Sequence, residues 1–141
     1  MSEPNASPIP AGFEPFTLNI PYLELVGPFF RKLEGDREQL GLLIERRHCN
    51  SISVAHGGLL ATFADIAAAR TLARTRGEGG SALTISLNID FVGTAPLGAW
   101  IEAHVEMKKT AGGIGFASCE LREGERVVVV ASGPFRFITR R

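Results

Sequence analysis

Cysteine is scarce in this chain of 141 residues, with only Cys49 and Cys119 present. Two thiols so far apart cannot make a disulfide framework or a zinc cluster. They predict reduced cysteines in a cytoplasmic protein with no metal site. An excess of one charge is also missing, since 15 Lys and Arg balance 15 Asp and Glu. Without a basic stripe, neither nucleic acid nor an anionic membrane surface is an expected partner. Long apolar runs are absent too: none approaches the roughly 18 uncharged residues that a spanning helix needs. The opening MSEPNASPIPAGFEPF has no basic segment and no apolar segment, so it does not read as a secretory signal.

What remains is globular, with 45% of residues apolar and 21% charged, enough for one domain with a sizeable core. Four of the eight prolines fall within the first sixteen residues. They predict a partly disordered arm over 1–22, followed by a single domain over 23–141.

Two apolar stretches, 25–33 and 40–44, flank the turn-like Glu34-Gly35-Asp36 and read as an antiparallel pair. A helix is predicted over 57–74, closed by Arg70, Arg74 and Arg76 and then by GEGG. ALTISLNIDFV then alternates as one strand, with Leu83, Ile85, Leu87, Ile89 and Phe91 on one face and Thr84, Ser86, Asn88 and Asp90 on the other. Further strands follow over 99–108, 114–122 and 126–138, separated by turns at Pro96, Gly112-Gly113 and Glu123-Gly124. A helix apolar on every side must be buried. One antiparallel sheet can cover it only by curling, so an α+β fold of about five or six strands wrapped around one long helix is expected.

That helix carries two charges between Gly57 and Ala73, Asp65 and Arg70. An ionised carboxylate in such a segment needs a partner or a purpose. Asn50, the stretch His56-Gly57-Gly58, Asp65 and the downstream SLNIDFVGTAPLG together resemble the hotdog-fold thioesterases, specifically the phenylacetic-acid-pathway type that hydrolyses acyl-coenzyme A. The likeness spans about 25–138. It departs at Ser53, where the family commonly has glycine.

The resemblance implies a hotdog fold, acyl-CoA as substrate, no separate cofactor, and a homodimer with shared sites that pairs into a tetramer. It also implies site residues, each with a plain structural alternative. Gly57 offers a backbone N–H at a helix start to a developing oxyanion, or merely packs closely. Asp65 is a general base for water or a nucleophile, or else a buried acid paired with an arginine or capping a neighbouring backbone. Asn50 orients water or the carbonyl, or forms an Asx turn. His56 caps the helix or steadies the loop. Thr84 assists the water, or is an ordinary strand threonine. Lys108, Lys109, Gly112 and Gly113 are candidates for the nucleotide phosphates of CoA, or a solvated strand end.

Gly57 and Asp65 lie eight residues apart, about 12 Å along one helix. Reacting groups must approach within roughly 3–3.5 Å, so one chain cannot bring both to a single thioester. Two other readings stand beside hydrolysis: a hotdog dehydratase or hydratase acting on acyl carriers, and a non-catalytic acyl-CoA-binding protein.

Overall fold

Helix α2 (Gly57–Arg74) lies in the hollow of an antiparallel sheet, in a computed structural model that describes residues 8–17 and 19–139. Before it come β1 (Glu14–Phe16), α1 (Pro21–Val26), β2 (Phe29–Glu34), β3 (Arg37–Leu43) and a single 3-10 turn, Arg46–His48. After it come β4 (Gly80–Thr84), β5 (Asn88–Phe91), β6 (Trp100–Ala111), β7 (Ile114–Glu123) and β8 (Arg126–Thr139). The strands pair in the order β1-β2-β3-β6-β7-β8-β4, with β5 also against β8. The described strands thus number eight rather than five or six, within the curved-sheet architecture that the resemblance implies. Among the described residues no helix is long and apolar enough to cross a membrane.

The sheet meets one side of α2 through Leu59, Leu60, Phe63, Ala64, Ala67, Ala68 and Leu72, all buried against residues such as Leu42, Ile101, Leu121, Val129 and Phe135. The other side, with Thr62, Asp65, Ile66, Ala69 and Ala73, is only half-buried in a single chain. Arg70 reaches from α2 to Glu38, whose side chain is 3% exposed, and grips it with two hydrogen bonds, Nη2–Oε2 at 2.9 Å being the longer. Arg31 and Arg74 stand 3.5 and 3.7 Å from the same carboxylate.

Within the stretch expected as an arm, β1 pairs with β2 from Glu14↔Arg31 to Phe16↔Phe29, and Phe13 packs edge-on against Trp100. Residues 1–7 and 18 of that stretch lie outside the described residues. Two sequence expectations need correction. The predicted strand over 25–33 begins only at Phe29, because Leu25 and Val26 finish α1, a helix opened by Pro21 at its first position. ALTISLNIDFV is two strands, not one.

The break is a β-bulge. Thr84 pairs with Phe135 and Asn88 with Ser132, so three residues on one side face two on the other. Ile85 and Ser86 both donate their N–H to the Pro134 carbonyl, at 3.0 and 3.4 Å. The extra residue reverses the alternation. Ala82 and Thr84 face α2 before the bulge, and Leu87 and Ile89 face the core after it. Leu83 and Ile85, expected on the same face as Leu87 and Ile89, are left exposed. Gly133 makes room for the bulge, for a Cβ there would lie 1.9 Å from the Ser86 carbonyl oxygen.

Candidate active site

The start of α2 has four N–H groups without helical partners. His56 is the N-cap, and its Nδ1 accepts the Gly58 N–H at 2.8 Å. Leu59 and Leu60 donate to the His56 carbonyl at 3.0 and 3.2 Å. Of these, only the Gly57 N–H is left without an acceptor among the described residues. The cap therefore singles out one donor, the one that the resemblance assigns to the oxyanion. Phe91 lies beside it, 3.4 Å from where a Gly57 Cβ would stand.

The loop before the helix is folded back on itself. His56 N–H donates to the His48 carbonyl at 2.9 Å, Cys49 bridges to Ala55, and Asn50 N–H donates to Val54 at 2.8 Å. Within this turn the Asn50 Oδ1 accepts the N–H groups of Ile52 (3.0 Å) and Val54 (3.4 Å). The Asx turn is thus real, and it leaves the Asn50 amide able to act as a donor through Nδ2.

Ser53 sits at the turn with φ of +61°, the left-handed region where glycine is at ease. The loop keeps its path with serine at the cost of backbone strain. Ser53→Gly is expected to stabilise the protein by about 0.5–1 kcal/mol, read as a higher midpoint in urea. An unchanged or lower midpoint would show that the serine is not strained.

Sequence reasoning did not single out His48. It is buried, its Nδ1 accepts the Glu45 N–H at 2.9 Å, and its Nε2 meets the Val26 carbonyl at 2.6 Å. With Nδ1 accepting, Nε2 must donate, so the ring is the neutral Nε2–H tautomer. Desolvation lowers its pKa below the usual histidine value. It ties the end of α1 to the base of the Asn50 loop. His48 lies eight residues before the N-cap His56, in a short loop segment whose sequence carries no signal that separates this role from any other.

Asp65 accepts a hydrogen bond from the Thr84 hydroxyl on Oδ1. No arginine or lysine pairs with it among the described residues, since Arg70 is bound to Glu38. The structural alternative of an Asp–Arg pair does not apply to Asp65. Asn50 sits in the loop that leads into α2 and Gly57 at the helix start, whereas Asp65 and Thr84 stand two turns further on.

The remaining candidates are scattered. Gly112 and Gly113 form the β6–β7 turn and line a 270 Å³ cavity with Arg76 and Phe137. Lys108 is paired with Glu106 at 3.1 Å on the surface and does not line that cavity, nor does Lys109. Cys119 is buried, with its thiol pushed up to about 12, and Cys49 donates to the Glu45 carbonyl at 3.4 Å. Both cysteines are free. No group of three or more His, Cys, Asp or Glu among the described residues is placed to hold a metal.

β4 ends the main strand order. Leu83, Ile85, Phe91 and Val92, on and around β4 and β5, are 54, 49, 52 and 60% exposed. Apolar surface along an edge strand marks a place for a partner strand.

Comparison with known proteins agrees with this picture. The chain is 40% identical over 128 residues to PA0474 of Pseudomonas aeruginosa, which is named as an esterase, covering 90% of this chain and 96% of that one. It is 28% identical over 90 residues to mouse acyl-coenzyme A thioesterase 13, covering 64% of each. The PaaI protein of the Escherichia coli phenylacetic acid degradation operon superposes with a TM-score of 0.75 at 19% identity, over 87% of this chain and 89% of that one. A profile described as the thioesterase superfamily matches residues 53–130, more than half of the sequence. With its curved sheet around one long helix, the chain belongs to the thioesterase superfamily and has its hotdog fold.

Proposed function

We propose that the protein hydrolyses acyl-CoA thioesters at sites that two copies of the chain build together. The observation that carries this reading is the donor at Gly57, the one N–H of its helix start left free among the described residues, two helical turns from a carboxylate that no described cation neutralises. A two-fold dimer closed along the β4–β5 edge, with antiparallel α2 helices, would set Gly57 and Asn50 of one chain against Asp65 and Thr84 of the other. The exposed apolar side chains of that edge support this arrangement.

Thr84 holds Oδ1 of Asp65 and leaves Oδ2 to take a proton from water. The water oxygen bonds to the thioester carbon, and the carbonyl becomes an oxyanion held by the Gly57 N–H and the Asn50 amide. Collapse breaks the C–S bond, and the CoA thiolate recovers the proton from Asp65. Direct attack by the same carboxylate oxygen is the alternative route. Coenzyme A enters as part of the substrate, and no other cofactor is assigned. Gly112 and Gly113 remain candidates for its phosphates, with Lys108 and Lys109 more remote, and pairing of dimers into a tetramer is part of the same reading.

Complementation tests the shared site. Asp65→Asn and Asn50→Ala should each be inactive alone. After subunit exchange half the dimers are mixed and each holds one intact site, so activity should return to about a quarter of wild type. Exchange confirmed by mass spectrometry without any recovery would place the site within one chain.

A further inference from the structure

Three hydrogen bonds join His48 to its surroundings, and together they reach the start of α2. The ring accepts the Glu45 N–H on Nδ1 at 2.9 Å and donates from Nε2 to the Val26 carbonyl at 2.6 Å. The His48 carbonyl accepts the His56 N–H at 2.9 Å. His56 immediately precedes Gly57 with its free N–H, Asn50 follows His48 by two residues, and the Cys49–Ala55 bridge closes the loop between. Both oxyanion donors thus hang from a segment that this ring pins to the end of α1.

The pin works in one protonation state. A second ring proton would sit on Nδ1 and point at the Glu45 N–H, donor against donor, at a residue only 4% exposed. The ring would have to turn away and give up its bonds. Burial chiefly disfavours the charged ring and Arg47 adds to this, while the Val26 carbonyl, Glu45 and the Leu43 carbonyl favour it; the balance lowers the pKa. Glu45 and Arg47 lie on the ring's own turn, α1 and β3 face it with carbonyls, and Glu24 of α1 lines the neighbouring cavity with Arg47. The stability that the neutral ring contributes is full above the ordinary value of 6.5 and is lost as pH falls from there through the lowered folded value.

Resting on the hydrolase reading above, we propose that His48 is a positioning residue of the reaction: it touches no substrate, but its neutral ring aims the Gly57 N–H and the Asn50 amide at the oxyanion.

His48→Gln and His48→Leu separate aim from bulk. Glutamine at the third position of a helical turn returns its oxygen to the N-cap N–H, here that of Glu45, and its amide N–H can reach the Val26 carbonyl. The bonds persist without a titrating ring. Leucine fills the space and makes neither bond. Above neutral pH, His48→Leu should lower kcat for hexanoyl-CoA about 10- to 100-fold and move KM by about twofold or less, because misplaced donors fail the oxyanion more than the bound thioester. His48→Gln should bring kcat back to within about threefold of wild type. On acidification log kcat should fall more steeply in wild type than in His48→Gln, by about one proton, since Asp65 and His56 are common to both. Exchange of the His56 N–H, followed by NMR, reads the pin without turnover. Its protection factor should fall about tenfold or more in His48→Leu, and on acidification in wild type but not in His48→Gln.

A folded His48→Leu with wild-type kcat overturns the proposal, as does an acid limb that His48→Gln leaves equally steep. If none of the three proteins cleaves a thioester, the hydrolase reading fails and the His56 protection factor decides alone: the stated falls uphold the hold of His48 on the donors, and unchanged protection overturns it. Should His48→Leu not fold, His48→Gln decides through its acid limb and its protection factor.

Discussion

Asp65→Asn is expected to fold normally and to hydrolyse its best acyl-CoA roughly 10²–10⁴-fold more slowly than wild type. The amide can still accept the Thr84 hydroxyl through its oxygen, so the one hydrogen bond that the side chain makes survives. No ion pair is lost, because Asp65 has none among the described residues. What disappears is the capacity to take a proton or to attack. Thiol release from a panel of aryl- and fatty-acyl-CoAs measures the rate, and circular dichroism the fold. A near wild-type rate would remove Asp65 from the chemistry. A variant that melts many degrees lower would show that the carboxylate serves the fold.

The second large effect is structural. Gly133→Ala would put a methyl group 1.9 Å from the Ser86 carbonyl oxygen and 3.2 Å from the Leu87 Cα, both backbone atoms that cannot swing aside. The two strands must part or the bulge must close. Overpacking of this severity costs about 3 kcal/mol or more, a fall in Tm on the order of 10 °C for a domain of this size. Closing the bulge would also turn Thr84 away from Asp65, so turnover should fall in whatever fraction remains folded. Gly113→Ala is the control, because a Cβ there meets nothing within 4 Å. Equal melting temperatures for both variants would show that the bulge yields easily.

Much of this was legible in the residues. The bounds of α2 follow from His56 before it and the basic residues and glycines after it, and the structure starts and ends the helix at Gly57 and Arg74. The strand over 99–108 alternates with Ile101, Ala103, Val105 and Met107 on one face, and the first three are found inward while Met107 is exposed. Other features leave no such trace. The alternation of ALTISLNIDFV runs unbroken through a bulge that reverses it, because the cause is a glycine almost fifty residues further on. The short α1 and β1 take their places from tertiary contacts, such as Phe13 on Trp100, that override a proline-rich composition. For Asp65 and Thr84, residue types alone left catalysis and structure evenly matched, and only the likeness to a family favoured the former. The structure removes one alternative: Arg70, the arginine nearest in sequence on the same helix, is bound to Glu38.

The fate of that arginine bears on aim. Helix α2 meets the sheet largely through alanines and leucines, among them Ala64, Ala67 and Ala68. Such a surface is smooth, and a smooth rod can roll in its bed. Arg70 lies five residues beyond Asp65, about 140° around the axis, and its two-pronged grip on Glu38 of β3 is made at one orientation only. A roll of ten degrees would carry the Asp65 carboxylate sideways by about 1 Å, twice the tolerance of a working constellation. The buried ion pair acts as an azimuthal lock on the helix, and the direction it locks is the one in which Asp65 faces.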